Sequence, residues 1–298
     1  MINMNIALTG ANGSIGRELT PFLKGLGHNI YTISSSVQSD GECIFSYADL
    51  FEKTINVKID IFFHLATINS QLSENEIGLE TQLTKDILSS LPSLNCKKLI
   101  FLSSAKVYGD NTYSSIIFDE KSPLNPLCSY GKAKKLCEEL IQLESENLGI
   151  YPTIFRLPPV LNQSYDSGLG KLIRLSRFRI PIPILYQGFV NQRSFLSFNN
   201  FKETINFFLE NEDLLFQNEI YNVSDSEFIS LSQLLLAPKK CYLLKIPLKI
   251  SELFFKIPFL NRFLLRLYGN FELNNSKLEA IMNVKLKTTN QSLPRIYS

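Results

Sequence analysis

Several residue types that mark common classes of protein are scarce or missing in this chain. Its 298 residues contain no tryptophan, only two histidines and five scattered cysteines without a C-x-x-C pair. A histidine- or cysteine-based metal site and a Cys/His catalytic pair are therefore not expected, and we predict no metal. Scattered, unpaired cysteines are typical of reduced thiols, which predicts a cytoplasmic protein.

The net charge is small, and long apolar runs are missing from the sequence. The formal net charge is +2, and no basic run is interleaved with aromatic residues, so we expect no nucleic-acid partner. No apolar stretch reaches the roughly 18–20 residues of a membrane-spanning helix. Because the first residues lead directly into a strand-like segment, no signal peptide is expected. The 45% apolar content is that of an ordinary globular protein.

Short apolar runs alternate with helical segments through the first half of the chain. The predicted strands are Ile6–Thr9, Asn29–Ile33, Cys43–Ser46, Ile59–Leu65, Leu99–Ser103 and Thr153–Leu157. The predicted helices lie near 15–26, 48–55, 76–91 and 127–148. Continuous apolar strands separated by helices indicate a parallel sheet covered on both faces, so the fold class is α/β with a doubly wound, Rossmann-type sheet.

After Leu157 the pattern loosens and several prolines interrupt the chain. A helix is predicted over Gly168–Arg179, and Phe195–Phe198, a helix near 200–211 and Ile220–Val223 indicate a return to the sheet. We therefore predict a dinucleotide-binding domain over 1–157 plus about 191–224. A smaller C-terminal substrate-binding lobe would take about 158–190 plus 225–298.

A glycine-spaced loop follows the first strand and opens the first helix. The residues expected to bind a cofactor here are Thr9, Gly10, Asn12, Gly13, Ser14, Ile15 and Gly16. Gly10 permits a tight turn, Gly13 lets the backbone approach a phosphate, and Gly16 lets helix and strand pack closely. The N–H groups at the start of the helix would then bind a pyrophosphate. The alternative is a glycine-rich turn without a ligand.

The ends of the next strands predict which dinucleotide is bound. Where NAD enzymes place an acid to bind the ribose 2′-hydroxyl, this chain has Ser34 followed by Ser35 and Ser36. No carboxylate repels a 2′-phosphate there, which favours NADP(H) over NAD(H). Asp49, just after the third predicted strand, has the properties of a solvated residue at the start of a helix. A second interpretation, as a cofactor contact, is given below.

A serine at the end of the fifth strand and a Tyr-x-x-x-Lys pair on the next helix carry the predicted chemistry. Tyr130 and Lys134 lie four residues apart and so share a helix face. A free tyrosine has a pKa of about 10, and a lysine ammonium together with a positive nicotinamide ring would lower it toward neutrality. Ser104 would hydrogen-bond the substrate oxygen. These three are the predicted catalytic residues, and Tyr130 and Lys134 are also predicted to contact the cofactor. The Tyr-x-x-x-Lys spacing alone also occurs by chance.

The chain resembles the extended short-chain dehydrogenase/reductases, and within them the nucleotide-sugar 4-epimerase and 4-ketoreductase branch (the NAD-dependent epimerase/dehydratase family). The resemblance runs from residue 5 to about 285. Its segments are TGANGSIG, FFHLA, FLSSAKVYG, SYGKAK, FRLPPV and RSFLSFNNF, with Tyr221–Ser224 and Asn274–Lys277.

The resemblance implies further site residues and shows some departures. Asp49 and Leu50 match the family's adenine contact, and Leu65 and Ala66 its H-x-A segment beside the cofactor, where His64 is expected only to pack. Ser104, Lys106 and Arg193 are the implied substrate contacts, with Arg193 on the diphosphate or, alternatively, an ordinary surface arginine. Three family positions differ in this chain: Ile77 replaces an asparagine four residues before Thr81, Asn199 or Asn200 replaces an aspartate, and Pro158 or Pro159 replaces another asparagine.

The residues after Ser104 narrow the reaction. The family's 4,6-dehydratases place an Asp-Glu pair there and its 3,5-epimerase/reductases a cysteine, whereas this chain has Ala105 and Lys106. The class of reaction that remains is hydride transfer at a single carbon of the sugar. The missing ribose acid favours an NADP(H)-dependent 4-ketoreductase that reduces a nucleotide-linked 4-keto-6-deoxyhexose for O-antigen or surface polysaccharide. The alternatives are an NAD-dependent 4-epimerase of a nucleotide sugar or polyprenyl-diphosphate sugar and, more distantly, a non-catalytic dinucleotide-binding protein.

The segment 242–268 has an unusual composition. Five basic residues, Lys245, Lys249, Lys256, Arg262 and Arg266, alternate with large apolar residues, and Glu252 is its only acid. Pro247 and Pro258 are expected to divide it into short amphipathic helices. One interpretation is a lobe packed on its own domain or a partner, with the protein expected to be a homodimer. The other is peripheral contact with the inner face of the membrane.

Overall fold

The computed structural model describes residues 3–35, 44–68, 72–161, 168–178, 181–236 and 241–292. Ser36, Cys43 and Arg179, which belong to predicted features, lie outside the described residues, as does the side chain of Arg262. Within the described ranges, no helix is long and apolar enough to cross a membrane. No group of three or more His, Cys, Asp or Glu side chains that could hold a metal ion is found in these ranges either.

The strands are named in chain order. They are β1 (Asn5–Thr9), β2 (Asn29–Ser34), β3 (Ile44–Ser46), β4 (Ile61–His64), β5 (Lys98–Ser104), β6 (Ile117–Phe118), β7 (Tyr151–Leu157), β8 (Val160–Leu161), β9 (Pro181–Leu185), β10 (Leu196–Ser197), β11 (Ile220–Asn222), β12 (Tyr242–Ile246) and β13 (Glu272–Leu273).

The helices are named in the same way. They are α1 (Gly16–Gly25), α2 (Tyr47–Phe51), α3 (Ile77–Ser90), α4 (Ser129–Leu148), α5 (Gly168–Ser176), α6 (Gln187–Val190), α7 (Phe198–Glu210), α8 (Leu231–Leu236), α9 (Leu248–Phe255), α10 (Pro258–Tyr268) and α11 (Ser276–Met282). Short 3-10 turns lie at Glu74–Glu76, Leu91–Leu94, Ala105–Val107 and Glu212–Phe216.

In the part of the chain that the structure describes, seven strands form one sheet in the order β3-β2-β1-β4-β5-β7-β11. The pairs from β3 to β7 are parallel. The strand order reverses between β1 and β4, and in open α/β sheets ligands bind at the carboxyl ends of the strands at such a switch point. The predicted doubly wound fold is confirmed, and this switch point locates the site.

The chain divides into two compact units. The first comprises 1–109, 123–157 and 202–221, and the second comprises 110–122, 158–201 and 222–298. Three segments differ from the predicted boundaries, because 110–122, 191–201 and 222–224 belong to the second unit. The expected return of Phe195–Phe198 to the central sheet is wrong: β10 instead pairs with β8 in a separate two-stranded ladder. Strands of two residues are too short a signal to choose between sheets.

Each unit has its own apolar core. In the first unit, residues from β1, β2, β4, β5 and β7 pack with residues from α2, α3 and α4 in one buried cluster. In the second unit, a separate cluster joins β8, β9, α5, α8 and α10. The segment 242–268, predicted to form short helices, contains one strand, β12, which pairs in parallel with β9, and then α9 and α10. Because Pro247 and Pro258 begin these two helices, the chain is divided where the sequence predicts.

Candidate active site

The glycine loop lies at the switch point and is packed against the loop that follows β4. Gly10 has a φ of +73°, and a Cβ there would lie 2.7 Å from the backbone nitrogen of Ala66. Asn12, Gly13 and Ser14 are exposed, and no side chain caps the start of α1 at Ile15. An uncapped helix start beside a loop without side-chain bulk fits a dinucleotide pyrophosphate.

His64 links the two strands of the switch point to α3. Its Nδ1 lies 3.0 Å from Thr9 Oγ1 and its Nε2 lies 3.1 Å from Thr84 Oγ1. Burial, and to a lesser extent the charge of Lys134, lowers the pKa of His64 to about 3. The ring is therefore neutral, and both nitrogens are used within the protein, so its contacts are those of a packing residue.

Ser104 and Tyr130 are brought together by a close approach between β5 and α4. Ser104 is the last residue of β5, and its nearby hydroxyl is one of the groups that lower the pKa of Tyr130, which is partly exposed. Gly131 permits this contact, because a Cβ there would lie 2.5 Å from the carbonyl oxygen of Lys106. The first turn of α4 can thus pack on the turn that follows Ser104.

Lys134 lies behind Tyr130 in a buried ion pair that the sequence analysis missed. Its Nζ is 3.1 Å from Oε1 of Glu80 on α3, and each side chain is 1% exposed. The ammonium also lies 4.9 Å from the centre of the Phe101 ring and 5.9 Å from that of Tyr130. The other carboxylate oxygen of Glu80 accepts a 2.8 Å hydrogen bond from the backbone N–H of Ile68. Both oxygens of Glu80 are therefore held by partners.

This pair changes the expected proton affinity of Tyr130. Burial raises the pKa of Tyr130, Lys134 lowers it, and Glu80 raises it again, so the pKa stands above its ordinary value of 10. The expected lowering of the Tyr130 pKa toward neutrality is not found, because burial, together with the Glu80 carboxylate, outweighs the Lys134 ammonium. Burial lowers the pKa of Lys134, but attraction to Tyr130 and Glu80 outweighs it and raises that pKa. The phenol is protonated and the amine is charged.

The remaining predicted cofactor contacts have mixed surroundings. Ser34 is the last residue of β2 and is partly exposed, opposite Ser46 of β3. Asp49 forms a capping box at α2, where its Oδ2 accepts hydrogen bonds of 2.7 Å from the backbone N–H and the hydroxyl of Ser46. Those bonds lower the pKa of Asp49. Leu50 is fully buried in the core of the first unit.

Leu65 and Ala66 follow β4, directly beside the glycine loop. Leu65 is partly exposed and Ala66 is 9% exposed. The backbone N–H of Ala66 donates to Thr9 Oγ1 over 3.3 Å, which fixes this loop to β1. Lys106, a predicted substrate contact, is partly exposed in the 3-10 turn after Ser104.

Arg193 belongs to the second unit, and its guanidinium is not matched by an acid among the described residues. The residue is 7% exposed, its Nη1 donates to the carbonyl oxygen of Leu267 over 2.9 Å, and its Nε has no hydrogen-bond partner within the described chain. Burial lowers its pKa to about 10. Two residues earlier, Asn191 is 2% exposed and its Nδ2 also has no hydrogen-bond partner in the described ranges. Arg193 is thus a buried arginine, which rules out the ordinary surface arginine.

A second buried ion pair lies near the first one, on the same helix. Arg156 of β7 donates to both carboxylate oxygens of Glu138, with Nη2–Oε2 at 2.6 Å, and its Nη1 donates to the Tyr108 hydroxyl over 3.0 Å. Glu138 also accepts a hydrogen bond from Ser103. All of these groups are satisfied within the unit, so we assign the cluster a structural role.

One signal in the sequence was interpreted in the wrong register. The family asparagine was expected four residues before Thr81, at Ile77. Thr81 is partly exposed and bonds only carbonyls of its own helix, whereas Thr84 is 1% exposed and contacts His64. The residue four positions before the buried threonine is Glu80, whose carbonyl accepts from Thr84 Oγ1 over 3.1 Å. The spacing that identifies Glu80 is therefore counted from the buried Thr84, not from Thr81.

Comparison with known proteins agrees with this geometry. The family model "NAD dependent epimerase/dehydratase family" matches residues 6–224, and the chain belongs to that family. The chain is 23% identical to UDP-glucose 4-epimerase of Vibrio cholerae over 96% of its length and 92% of that protein. It is 28% identical to UDP-2-acetamido-2,6-beta-L-arabino-hexul-4-ose reductase of Pseudomonas aeruginosa, over 61% of this chain and 43% of that one.

The fold has close structural neighbours. UDP-N-acetylglucosamine 4-epimerase from Bacillus cereus superposes with a TM-score of 0.77 at 17% identity, covering 99% of this chain and 98% of that one. The chain nevertheless spans less than two thirds of several curated relatives, such as 57% of one from Methanocaldococcus jannaschii. The predicted family and the predicted enzyme class, a nicotinamide-dependent enzyme of the short-chain dehydrogenase/reductase type, are confirmed.

Proposed function

We propose that this protein is an NADP(H)-dependent 4-ketoreductase that reduces a nucleotide-linked 4-keto-6-deoxyhexose for O-antigen or surface polysaccharide. The observation that carries the proposal is the protonated Tyr130, which lies near Ser104 with the buried Lys134–Glu80 pair behind it. A phenol whose pKa is raised carries its proton at neutral pH and can transfer it to a developing alkoxide, which is a much stronger base. Reduction of a carbonyl requires a proton donor at this position, whereas oxidation of an alcohol requires a base.

In this mechanism Ser104 and Tyr130 both hydrogen-bond the carbonyl oxygen of the sugar. A bound nicotinamide supplies the hydride to the carbonyl carbon. As negative charge develops on the oxygen, Tyr130 transfers its phenolic proton there, and the Ser104 hydroxyl stabilises the same oxygen. The Lys134 ammonium, 5.9 Å from the Tyr130 ring centre, then stabilises the tyrosinate that remains.

The residues present fit a dinucleotide. The glycine loop offers an uncapped helix start to the pyrophosphate, and the Lys134 ammonium has one carboxylate acceptor, which leaves N–H donors for ribose hydroxyls. Ser34 at the end of β2 supports NADP(H), because it presents a hydroxyl and no charge to a 2′-phosphate. Asp49 caps α2 through Oδ2, and its proposed role remains the adenine contact.

The second unit is the proposed substrate-binding lobe, with Arg193 as its diphosphate contact. A buried guanidinium without an acid is unfavourable on its own, and an anionic ligand would satisfy it. Asn191 and Arg193 are two positions apart in extended backbone and so point to one side. Their unpartnered donors, Nδ2 and Nε, are the pair that a diphosphate oxygen would accept from. Lys106 is proposed as a further substrate contact.

The second candidate is an NAD-dependent 4-epimerase acting on a nucleotide sugar or polyprenyl-diphosphate sugar. The end-to-end similarity to the Vibrio cholerae 4-epimerase favours it. The same three residues would serve, with Tyr130 first as base and then as acid. A homodimer in the cytoplasm remains a prediction from the sequence.

Purified protein with NADPH and a nucleotide-linked 4-keto-6-deoxyhexose distinguishes the two candidates. The reductase consumes one NADPH for each sugar reduced and leaves the column without bound nucleotide. Tightly bound NAD⁺, together with interconversion of 4-epimers without net consumption of cofactor, would replace the proposal by the epimerase. Tyr130→Phe is the control for background oxidation of NADPH.

A further inference from the structure

Helix α9 in the second unit presents an apolar stripe to the outside. Ile250, Leu253, Phe254 and, just after the helix, Ile257 follow the i, i+3, i+4, i+7 spacing of an amphipathic helix. This spacing normally marks the face that packs on a core. Here the four side chains are 48%, 62%, 38% and 46% exposed. We call these four residues the outer stripe.

The helix is already anchored on another side, so it cannot rotate to bury the outer stripe without losing those contacts. Ser251 is fully buried, donates to the carbonyl of Ile246 over 3.2 Å and accepts from the backbone N–H of Tyr186 over 3.1 Å. The Phe255 ring packs edge-on against Tyr113 and Tyr268. The outer stripe is therefore a fixed feature of the folded unit.

Basic residues border the outer stripe on one flank. Lys249 and Lys256 are exposed and lie seven residues apart, which places them on one side of α9 next to Ile250 and Leu253. Between residues 242 and 268 the only acid is Glu252. An apolar stripe flanked by lysines is the arrangement of helices that lie in the interface of an anionic bilayer. Exposed Tyr242 and Leu244 on β12, just before α9, add apolar surface.

We propose that the outer stripe with its flanking lysines docks on an anionic phospholipid surface. The charge argues against a second copy of this chain as the occupant, because a two-fold interface centred on the stripe would bring Lys249 and Lys256 close to their copies. Lipid phosphates supply the opposite charge, and acyl chains the apolar contact. The docked protein acts at a membrane whatever sugar it uses, so the proposal goes beyond the proposed function.

Flotation of the purified full chain with phosphatidylglycerol vesicles and with phosphatidylcholine vesicles tests this proposal. We expect flotation with the anionic vesicles at low salt and release at high salt. Leu253→Gln/Phe254→Gln and Lys249→Gln/Lys256→Gln should each weaken partitioning roughly 10- to 30-fold. The matched control is Leu143→Gln, which removes another leucine that is 71% exposed, on α4 of the first unit, and should float as the parent does.

Three results would overturn the proposal. They are failure to float with anionic vesicles at low salt, equal flotation of the stripe variants and the parent, and a dimer in sedimentation that Leu253→Gln/Phe254→Gln dissociates. The last result would assign the stripe to a second copy. Circular dichroism of each variant checks that the fold is kept.

An independent observation, the buried ion pair behind Tyr130, leads to a second inference. We infer that Glu80 is a positioning residue whose carboxylate holds the Lys134 ammonium beside Tyr130 and keeps Tyr130 in its protonated, proton-donating form. The geometry is specific. One oxygen of Glu80 binds Lys134 at 3.1 Å, the other binds the Ile68 N–H at 2.8 Å, and the carboxylate is fully enclosed. This inference rests on the proposed function only in taking Tyr130 as the proton donor.

The other titratable groups around Lys134 do not supply a competing charge. His64 is neutral, and burial raises the pKa of the Tyr47 phenol to about 12 and that of the Cys137 thiol to about 11. Glu138, one turn further along α4, is paired with Arg156. Cys128, at the start of α4, accepts from the N–H of Gly131 through its sulfur. Glu80 is therefore the anion that balances Lys134 within the described residues.

Glu80→Gln keeps the size of the side chain and removes its charge. The uncompensated Lys134 should then stabilise the tyrosinate, which lowers the pKa of Tyr130 by roughly 1–3 units. An ultraviolet difference titration of tyrosinate in the cofactor-free protein measures this shift, with Tyr130→Phe subtracted to isolate Tyr130. Glu80→Asp keeps the charge and should restore most of the parental pKa.

Glu138→Gln is the matched control, since it also removes one carboxylate of a buried ion pair that involves α4. It should lower stability without moving the titration of Tyr130. An unshifted Tyr130 in Glu80→Gln, or an equal shift in Glu80→Asp, would overturn the inference. Since this readout needs neither substrate nor NADPH, failure of the proposed reductase activity would leave the result interpretable. In an active protein, the limb of the pH–rate profile that reports the ionisation of Tyr130 should shift by the same number of pH units.

Discussion

The two units of this protein differ in how their buried charged side chains are paired. In the first unit each of the two deeply buried cations that we describe has its own acid: Lys134 is paired with Glu80, and Arg156 with Glu138. In the second unit Arg193 is buried with one backbone carbonyl as its hydrogen-bond acceptor in the described chain. Two buried acids of that unit accept hydrogen bonds from neutral side chains instead: Asp225 from Ser197, Asn200 and Thr289, and Glu272 from Ser115.

We infer from this difference that the first unit carries the chemistry and the second unit recognises the substrate. A buried charge that has its partner inside the protein is held in place without a ligand, and Lys134 and Tyr130 are arranged in this way. A buried cation without an acid gains most from an anion that arrives from outside. We therefore expect mutations in the first unit to affect rate and stability, and mutations at Arg193 to affect substrate binding.

The largest expected effect tests the chemical half of this comparison. Tyr130→Phe removes the phenolic proton and keeps the ring, so turnover should fall by roughly 10²–10⁴ while the affinity for the dinucleotide is retained. Steady-state kinetics and a fluorescence titration of the cofactor measure the two quantities. If Tyr130→Phe turned over substrate within a few-fold of the parent, Tyr130 would not be the proton donor.

Substitution of the two buried arginines tests directly whether an acid partner inside the protein determines how much each contributes to stability. Arg156→Met leaves Glu138 as an unpaired buried charge, which should lower the free energy of unfolding by about 3–5 kcal/mol. Arg193→Met leaves only the carbonyl of Leu267 without its donor, which should cost less than about 1.5 kcal/mol and raise the KM for substrate with little change in kcat. Denaturant unfolding and steady-state kinetics give both answers. Equal losses of stability would contradict the distinction between the units.

His64 offers a pH test of the first unit. Its folded-state pKa of about 3 lies below the ordinary 6.5, so the unfolded chain binds a proton that the folded protein does not. Its contribution to stability is complete above pH 6.5 and is lost as the pH falls from there toward 3. Between pH ~7 and pH ~5 the loss should be about 2 kcal/mol. His64→Gln should show that much less pH dependence in urea unfolding, and an unchanged dependence would assign the acid sensitivity to other groups.

The smallest expected effect concerns the cofactor. Ser34→Asp adds a negative charge at the end of β2, which should repel a 2′-phosphate and shift the preference toward NADH by about tenfold. Titration of NADPH and NADH with parent and variant measures the ratio, and Asp49→Asn serves as a control with one charge fewer on the neighbouring helix. A parent protein that clearly prefers NADH would contradict the proposed cofactor and strengthen the epimerase.

Local patterns were enough to predict the sheet but not the boundaries of the second unit. The strands of the first half lie where alternating apolar runs indicate, because a strand buried on both faces needs a continuous apolar segment. Phe195–Phe198 has the same appearance and yet pairs with Val160–Leu161 outside the central sheet. A run of four residues has several places to pair, and only long-range contacts select one.

The sequence by itself determined the fold class, the glycine loop, and the serine, tyrosine and lysine that lie near the carboxyl ends of the strands. These follow from short-range rules of spacing, turn geometry and helix periodicity. Only the tertiary structure decided that Glu80 neutralises Lys134, that Arg193 is buried without an acid, and that the apolar stripe of α9 faces outward. Partners from different helices, and the side on which a helix is covered, depend on how distant segments pack, and neither is encoded in the spacing of neighbouring residues.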